Sequence, residues 1–213
     1  MKSHFITITI LFLFCLRPYN SQGISFKNDS TKKKIGLVVK ADLLLPAIGI
    51  YYKQVEYAFT AEKFFGKHSS FQFTYLDGWQ NTRRNFSSGG RFTHYWREII
   101  FIPEYKFFLS KKKLHSGYYV GAFAWFDYLH SNTIHSLPWE YSANDTRKTR
   151  IGGGIVNGFQ FYLFNHLTFD IIAGAGYLQT VKIKVVEENF TIVGSSPETY
   201  FFPRLAVNLG YKF

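Results

Sequence analysis

Arg204-Leu-Ala-Val-Asn-Leu-Gly-Tyr-Lys-Phe213 decides the fold. Strand side chains alternate between two faces. Leu205, Val207, Leu209, Tyr211 and Phe213 therefore share one face, and Arg204, Ala206, Asn208, Gly210 and Lys212 share the other. One side is wholly apolar; the other is polar or small. A strand with its apolar face against lipid and aromatic residues at one end has the pattern of a transmembrane barrel strand. Tyr211 and Phe213 are the candidate membrane-insertion signal, read by a barrel-assembly machinery.

Seven further stretches repeat this alternation: 35–45, 50–59, 69–76, 96–109, 117–129, 148–163 and 167–184. In the first, Leu37, Val39, Ala41 and Leu43 oppose Val38, Lys40 and Asp42. In the third, Phe71, Phe73 and Tyr75 oppose Ser70, Gln72 and Thr74. Pro103 lacks a ladder N–H and marks a bulge or an edge. The stretch 117–129 is apolar on both sides, so its outward face stays open. Gly152, Gly154 and Gly158 remove bulk from one face, as the interior of a small barrel requires.

The connections have a rhythm. Turns at 61–67, 110–116 and 164–166 alternate with longer polar segments at 77–93, 130–147 and 187–198. Pro46 and Gly49 interrupt the first pair as a short loop. Eight strands in four hairpins predict an all-β, eight-stranded antiparallel up-and-down transmembrane β-barrel over 35–213, with both termini on the short-turn side.

Composition agrees. Aromatic residues make up 20% of the 213 positions, with 24 Phe and 15 Tyr, and aromatic girdles consume such an excess. Mean hydropathy is −0.09, which excludes a helical membrane protein, while alternating strands average to this value. The formal net charge is +11, but the basic residues cluster in connections such as Lys111-Lys-Lys113 and Arg83-Arg84. That placement fits lipopolysaccharide phosphates or solvent better than nucleic acid.

Residues 1–23 read as a signal peptide: Lys2 and His4, an apolar run over 5–16, then a small polar exit. That run is too short to span a bilayer as a helix. Phe14 before Cys15, the single cysteine, argues against a lipidation site. Residues 24–34 read as a flexible segment.

The whole pattern resembles the small outer-membrane β-barrel proteins of Bacteroidota, in particular the DUF3575 family of unknown function. The pieces that carry the likeness are Val39-Lys-Ala-Asp-Leu-Leu44, Val55-Glu-Tyr-Ala58, Pro103-Glu-Tyr-Lys-Phe-Phe108, Gly117-Tyr-Tyr-Val-Gly-Ala122, Phe169-Asp-Ile-Ile-Ala-Gly-Ala-Gly-Tyr177 and Leu209-Gly-Tyr-Lys-Phe213. The resemblance implies a monomeric barrel in the bacterial outer membrane and supplies no catalytic residues.

Lys40, Asp42, Glu56, Glu98, Glu104, Lys106, Asp170 and Arg204 fall opposite the lipid stripe and form the candidate interior charge network. An eight-stranded barrel is just filled by side chains, so these charges must pair. They read as a salt-bridged plug, the sharper alternative being an ion or proton path. His130-Ser-Asn132 resembles the His-x-Ser-Asn motif of PagL-type lipid A deacylases. Here His130 and Ser131 are adjacent and diverge on a strand. His115, His130, His135 and Glu140 match no standard zinc spacing, and Gly152-Gly-Gly154 lacks the Lys and Ser/Thr of a phosphate loop. Neither metal nor cofactor is expected.

The functional expectation is a structural or binding barrel that presents loops to outer-membrane lipid, lipopolysaccharide or another surface partner. Two alternatives remain: a lipid A hydrolase, and a soluble lipocalin-like barrel with its larger apolar side chains turned inward.

Overall fold

In the computed structural model the described residues are 36–52, 55–65, 68–87, 89–110, 115–137, 140–163, 166–187, 190–194 and 198–213. The expected signal peptide over 1–23, the 24–34 segment and Cys15 lie outside them. The chain forms β1 (Leu37–Asp42), a helix α1 (Leu44–Tyr52), β2 (Val55–Phe65), β3 (Ser69–Asn85), β4 (Arg91–Phe108), β5 (Gly117–Leu137), β6 (Glu140–Leu163), β7 (Leu167–Glu187), a short β8 (Phe190–Gly194) and β9 (Thr199–Lys212).

Successive strands pair antiparallel from β1 to β7. β9 then pairs with β7 on one side and β1 on the other, which closes the ring at eight strands. β8 stands outside the ring, paired only with the far end of β7. The expected eight-stranded antiparallel barrel is the observed fold.

The alternation resolves which side faces in. Val38, Lys40, Glu62, Gln72, Lys106 and Asp170 are essentially inaccessible, while Ile155, Phe201 and Leu205 are 72%, 78% and 63% exposed. The larger apolar residues thus cover the outside, the reverse of a lipocalin-like barrel. The open face of β5 is settled in the same way: Tyr119, Phe123 and Asp127 point in, and Tyr118, Val120, Phe126 and Tyr128 point out. Gly158 sits where any Cβ would strike the Tyr119 side chain and the Ile171 carbonyl, so the interior needs glycine there. His115 and Gly117 end the β4–β5 connection with positive φ angles of 53° and 106°.

Three expectations are corrected. First, the short loop at Pro46–Gly49 is part of α1, and residues 50–52 belong to that helix instead of opening a strand. Asp42 Oδ1 accepts the amides of Leu44 at 2.7 Å and Leu45 at 3.3 Å, capping the orphan donors of the first turn. Pro46 falls in that turn, where a missing N–H costs nothing. Second, the turn expected over 61–67 begins later, because β2 runs to Phe65. Third, the segments 77–93 and 130–147 are not loops. They are continuations of β3–β4 and β5–β6, paired to Asn85↔Arg91 and Leu137↔Glu140, and 187–198 contains β8. A tilted strand needs about 9–11 residues to cross a bilayer; β3 to β7 have 17 to 24. Their outer parts are intermediate or exposed on both faces, so the ladder persists where the alternation fades.

β1 is short, and α1 takes its place above Asp42. There β9 keeps a partner only in β7, and residues 55–58 of β2 only in β3. The helix packs on both β2 and β9, and Leu43 donates to the Val207 carbonyl at 2.7 Å. The upper wall is completed by helix packing, not by a ladder.

Candidate functional site: two charged layers inside the barrel

Inward positions of β1, β2, β4, β7 and β9 bring six charges into one buried layer. Lys40 Nζ lies 2.7 Å from Glu62 Oε2 and 2.7 Å from Asp170 Oδ2. It also donates to Gln160 Oε1 at 2.8 Å. Lys106 Nζ lies 2.6 Å from Asp170 Oδ2, with Glu104 at 3.9 Å and Glu62 at 4.0 Å. Tyr119 donates its hydroxyl to Asp170 Oδ1 at 2.8 Å, and its ring lies 4.3 Å from the Lys106 ammonium. Ser70 donates to Glu62 at 2.5 Å. Arg204 pairs with Glu104 and stacks 4.7 Å from the Phe123 ring.

Three cations meet three carboxylates, so the layer is formally neutral. That balance makes burial tolerable: an unpaired charge here would carry a solvation penalty of several kcal/mol. With the Lys40, Glu62, Lys106 and Asp170 side chains at 0% exposure, the layer is a buried plug. Above it, beside α1, is a cavity of about 180 Å³ whose lining includes Thr60, Thr74, Trp125, Arg204 and Asn208.

A second layer lies toward the long hairpins. Arg150 on β6 bridges Glu98 on β4 and Asp127 on β5. Glu56 and Glu98 flank Gly78 in one cross-strand row. Three acids face one arginine, so this mouth of the barrel is acidic among the described residues.

The eight residues expected to form one network are therefore divided. Lys40, Glu104, Lys106, Asp170 and Arg204 come together in the lower layer. Glu56 and Glu98 belong to the upper layer, and Asp42 caps α1. Sequence reasoning missed Glu62, Asp127 and Arg150. Glu62 was hidden by ending β2 at Phe59, although it keeps the parity of Ala58 and Thr60. Tyr211 and Phe213 lie outside as expected, 40% and 54% exposed. Their rings are 5.0 Å apart, and His166 stacks on Tyr211.

The His130-Ser131 pair does not assemble. His130 Nε2 meets Asp145 Oδ1 at 2.7 Å, while Ser131, the next strand residue, projects to the other face. At the hairpin end, Tyr200 donates to Glu198. That bond, with Lys148 at 3.1 Å, holds the Glu198 carboxyl below its usual range. Among the described residues no group of His, Cys, Asp or Glu is arranged to hold a metal.

Comparison with solved structures gives distant likenesses. The crystal structure of Acinetobacter baumannii CarO is 10% identical at a TM-score of 0.42, covering 83% of this chain and 96% of that one. A major outer membrane protein from Thermus thermophilus is 10% identical at 0.47, covering 85% and 100%. Ail, the attachment invasion locus protein of Yersinia pestis, is 14% identical at 0.34, covering 84% and 97%. No curated protein sequence matches the chain. The pattern of the family described as Protein of unknown function (DUF3575) matches residues 37–213, and the chain belongs to that family.

Proposed function

We propose that the protein is a small outer-membrane barrel of structural or binding type, without a wide pore, which braces the membrane and presents its long hairpins to surface partners. One observation carries this reading: an apolar outer band surrounds a buried, ion-paired layer that is formally neutral. Phe71, Phe73, Phe101, Phe107, Phe126 and Phe159 are each 40% to 49% exposed on the outside of the wall. A water-soluble monomer rarely exposes an apolar patch beyond a few hundred Å². Hydrocarbon removes that difficulty, and ring closure pairs the strand edges, except where α1 packs between β2 and β9.

In this reading residues 1–23 direct export, and Tyr211 and Phe213 are the signal read by the assembly machinery. The chain works as a monomer, without cofactor or nucleic acid, in the envelope of a Bacteroidota-type cell. The plug supports the bracing role, since a filled and paired interior stiffens the wall but passes no solute.

Fractionation of cells expressing the full chain tests it, followed by SDS electrophoresis of the outer-membrane fraction with and without boiling. Recovery there with a heat-dependent mobility shift is expected. Recovery in the soluble periplasm with no shift would overturn the reading.

A further inference from the structure

The outer wall of β4–β7 carries a basic row in direct cross-strand register. Arg97 stands opposite His130, His130 opposite Arg147, and Arg147 opposite Lys184. Directly opposed residues project from the same face with Cβ atoms about 4.5–5.5 Å apart. The face is the outer one. Arg97 shares its parity with Phe101 and Tyr105, His130 with Phe126 and Tyr128, and Arg147 with Ile151 and Ile155, all of which point outward. Lys182, opposite Thr149, is exposed and adds another ammonium.

The row begins where the apolar band stops. His130 is the next outward position after Tyr128, and Arg97 the next after Ile99. It is also one-sided: the neighbours of Arg97 on the other side are Trp79 on β3 and then Val55 on β2. Among the described residues the basic row is thus confined to four strands.

Its electrostatics are unfavourable as they stand. Arg147 and Lys184 are like charges directly opposed, a pairing that destabilises a sheet. Asp77 accepts from Arg97 at 3.1 Å, and Asp145 accepts from Arg147 at 3.0 Å and meets His130. These two carboxylates orient the guanidinium groups through Nη2, with Nε of Arg97 also engaged. Four fixed positive charges remain against two negative ones, and neither Lys182 nor Lys184 has a carboxylate partner among the described residues. A pattern that costs fold stability without a local gain marks a site selected for something else.

We infer that this row binds the phosphate groups of an anionic lipid in the leaflet around the long-hairpin end of the barrel. Guanidinium groups match phosphate geometry, and an ammonium adds a point charge. The position at the edge of the apolar band is where headgroups lie. The occupant is therefore a phosphorylated amphiphile with its chains along the band, not a free anion. This inference rests on the outer-membrane reading and names its lipid partner.

The test uses the full chain refolded in detergent, titrated with diphosphoryl lipid A, with dephosphorylated lipid A and with inorganic phosphate, and read by native mass spectrometry. Diphosphoryl lipid A should bind, and the double variant Arg147→Gln/Lys184→Gln should weaken it by more than about tenfold, the scale of losing one or two charge-assisted bonds. Arg83→Gln/Arg84→Gln, which removes equal charge near the β3–β4 tip, should bind as the parent does. A heat-dependent mobility shift confirms that each variant is folded. Undiminished binding by the Arg147/Lys184 variant, equal binding of dephosphorylated lipid A, or full displacement by millimolar phosphate would each overturn the inference. Any of these in a protein that still fractionates to the outer membrane leaves the broader reading standing; a soluble periplasmic parent would sink that reading itself.

Discussion

Lys40 Nζ and Asp170 Oδ2 stand 2.7 Å apart at the centre of the barrel, with 130 positions of sequence separating them. Asp170 also holds Lys106 and Tyr119, so one carboxylate ties together β1, β4, β5 and β7. Asp170→Asn keeps the volume and removes the charge, leaving two buried ammonium groups short of a partner. Breaking a buried pair in this way costs about 3–5 kcal/mol. The urea midpoint, followed by tryptophan fluorescence of the refolded barrel, should fall accordingly. An unchanged midpoint would show that the layer does not contribute to stability.

Gly158 leaves room for the Tyr119 ring beside Asp170. Gly158→Ala places a methyl group on the Tyr119 hydroxyl and against backbone of β7. Overpacking of this kind costs about 1–3 kcal/mol. The variant should lose heat resistance in the SDS mobility assay, and the second substitution Tyr119→Phe should not restore it, because the Ile171 carbonyl remains in the way. Full rescue by Tyr119→Phe would refute that account.

Asp42 caps α1 where the ladder between β1 and its neighbours ends. Asp42→Ala should lower stability by about 1 kcal/mol, and Asp42→Asn by much less, since asparagine caps equally well. The more direct readout is hydrogen exchange. The amides of Leu44 and Leu45 donate to this carboxylate, so they should exchange faster in Asp42→Ala and near the parent rate in Asp42→Asn. Equal protection in all three proteins would mean that packing on β2 and β9, not the cap, holds the helix.

Ion passage is the fourth prediction. The layer of Lys40, Glu62, Lys106 and Asp170 leaves these side chains with no exposure. In planar bilayers the parent protein should show no long-lived conductance steps of the size a wide channel gives. Regular steps in the parent would remove the plug from consideration and make the acidic mouth formed by Glu56, Glu98 and Asp127 the entrance of a cation path.

Much of the wall was legible before the structure. In β9 the assignment of Leu205 and Leu209 outward, and of Arg204, Asn208 and Gly210 inward, holds residue by residue, because an apolar outer stripe over a filled interior imposes strict period 2. The outer hairpins were illegible for the complementary reason. Beyond the band both faces meet water, so Asn81, Thr82, Arg83 and Arg84 carry no alternation, yet their backbone still pairs. Helix α1 was hidden because Leu44-Leu-Pro-Ala-Ile-Gly-Ile-Tyr-Tyr52 is apolar in nearly every position and displays neither period. Glu62 was lost because 61–67 reads as a turn, whereas β2 runs on to Phe65. The partition of charges into two layers depends on the stagger of strands around the ring, and one strand's sequence does not carry that information.

The ring is bonded unevenly. β1 and β9 share five paired positions, against twenty-one between β5 and β6. The sheet from β2 to β7 can zip by local hairpins, whereas this seam joins strands far apart in the chain through as few paired positions as β1 shares with β2. The Lys40 ammonium reaches past β9 to Asp170 on β7, so that bond spans the seam like a latch. It can form only once the cylinder has shut. The same charged contact that fills the interior is therefore also a marker of ring closure.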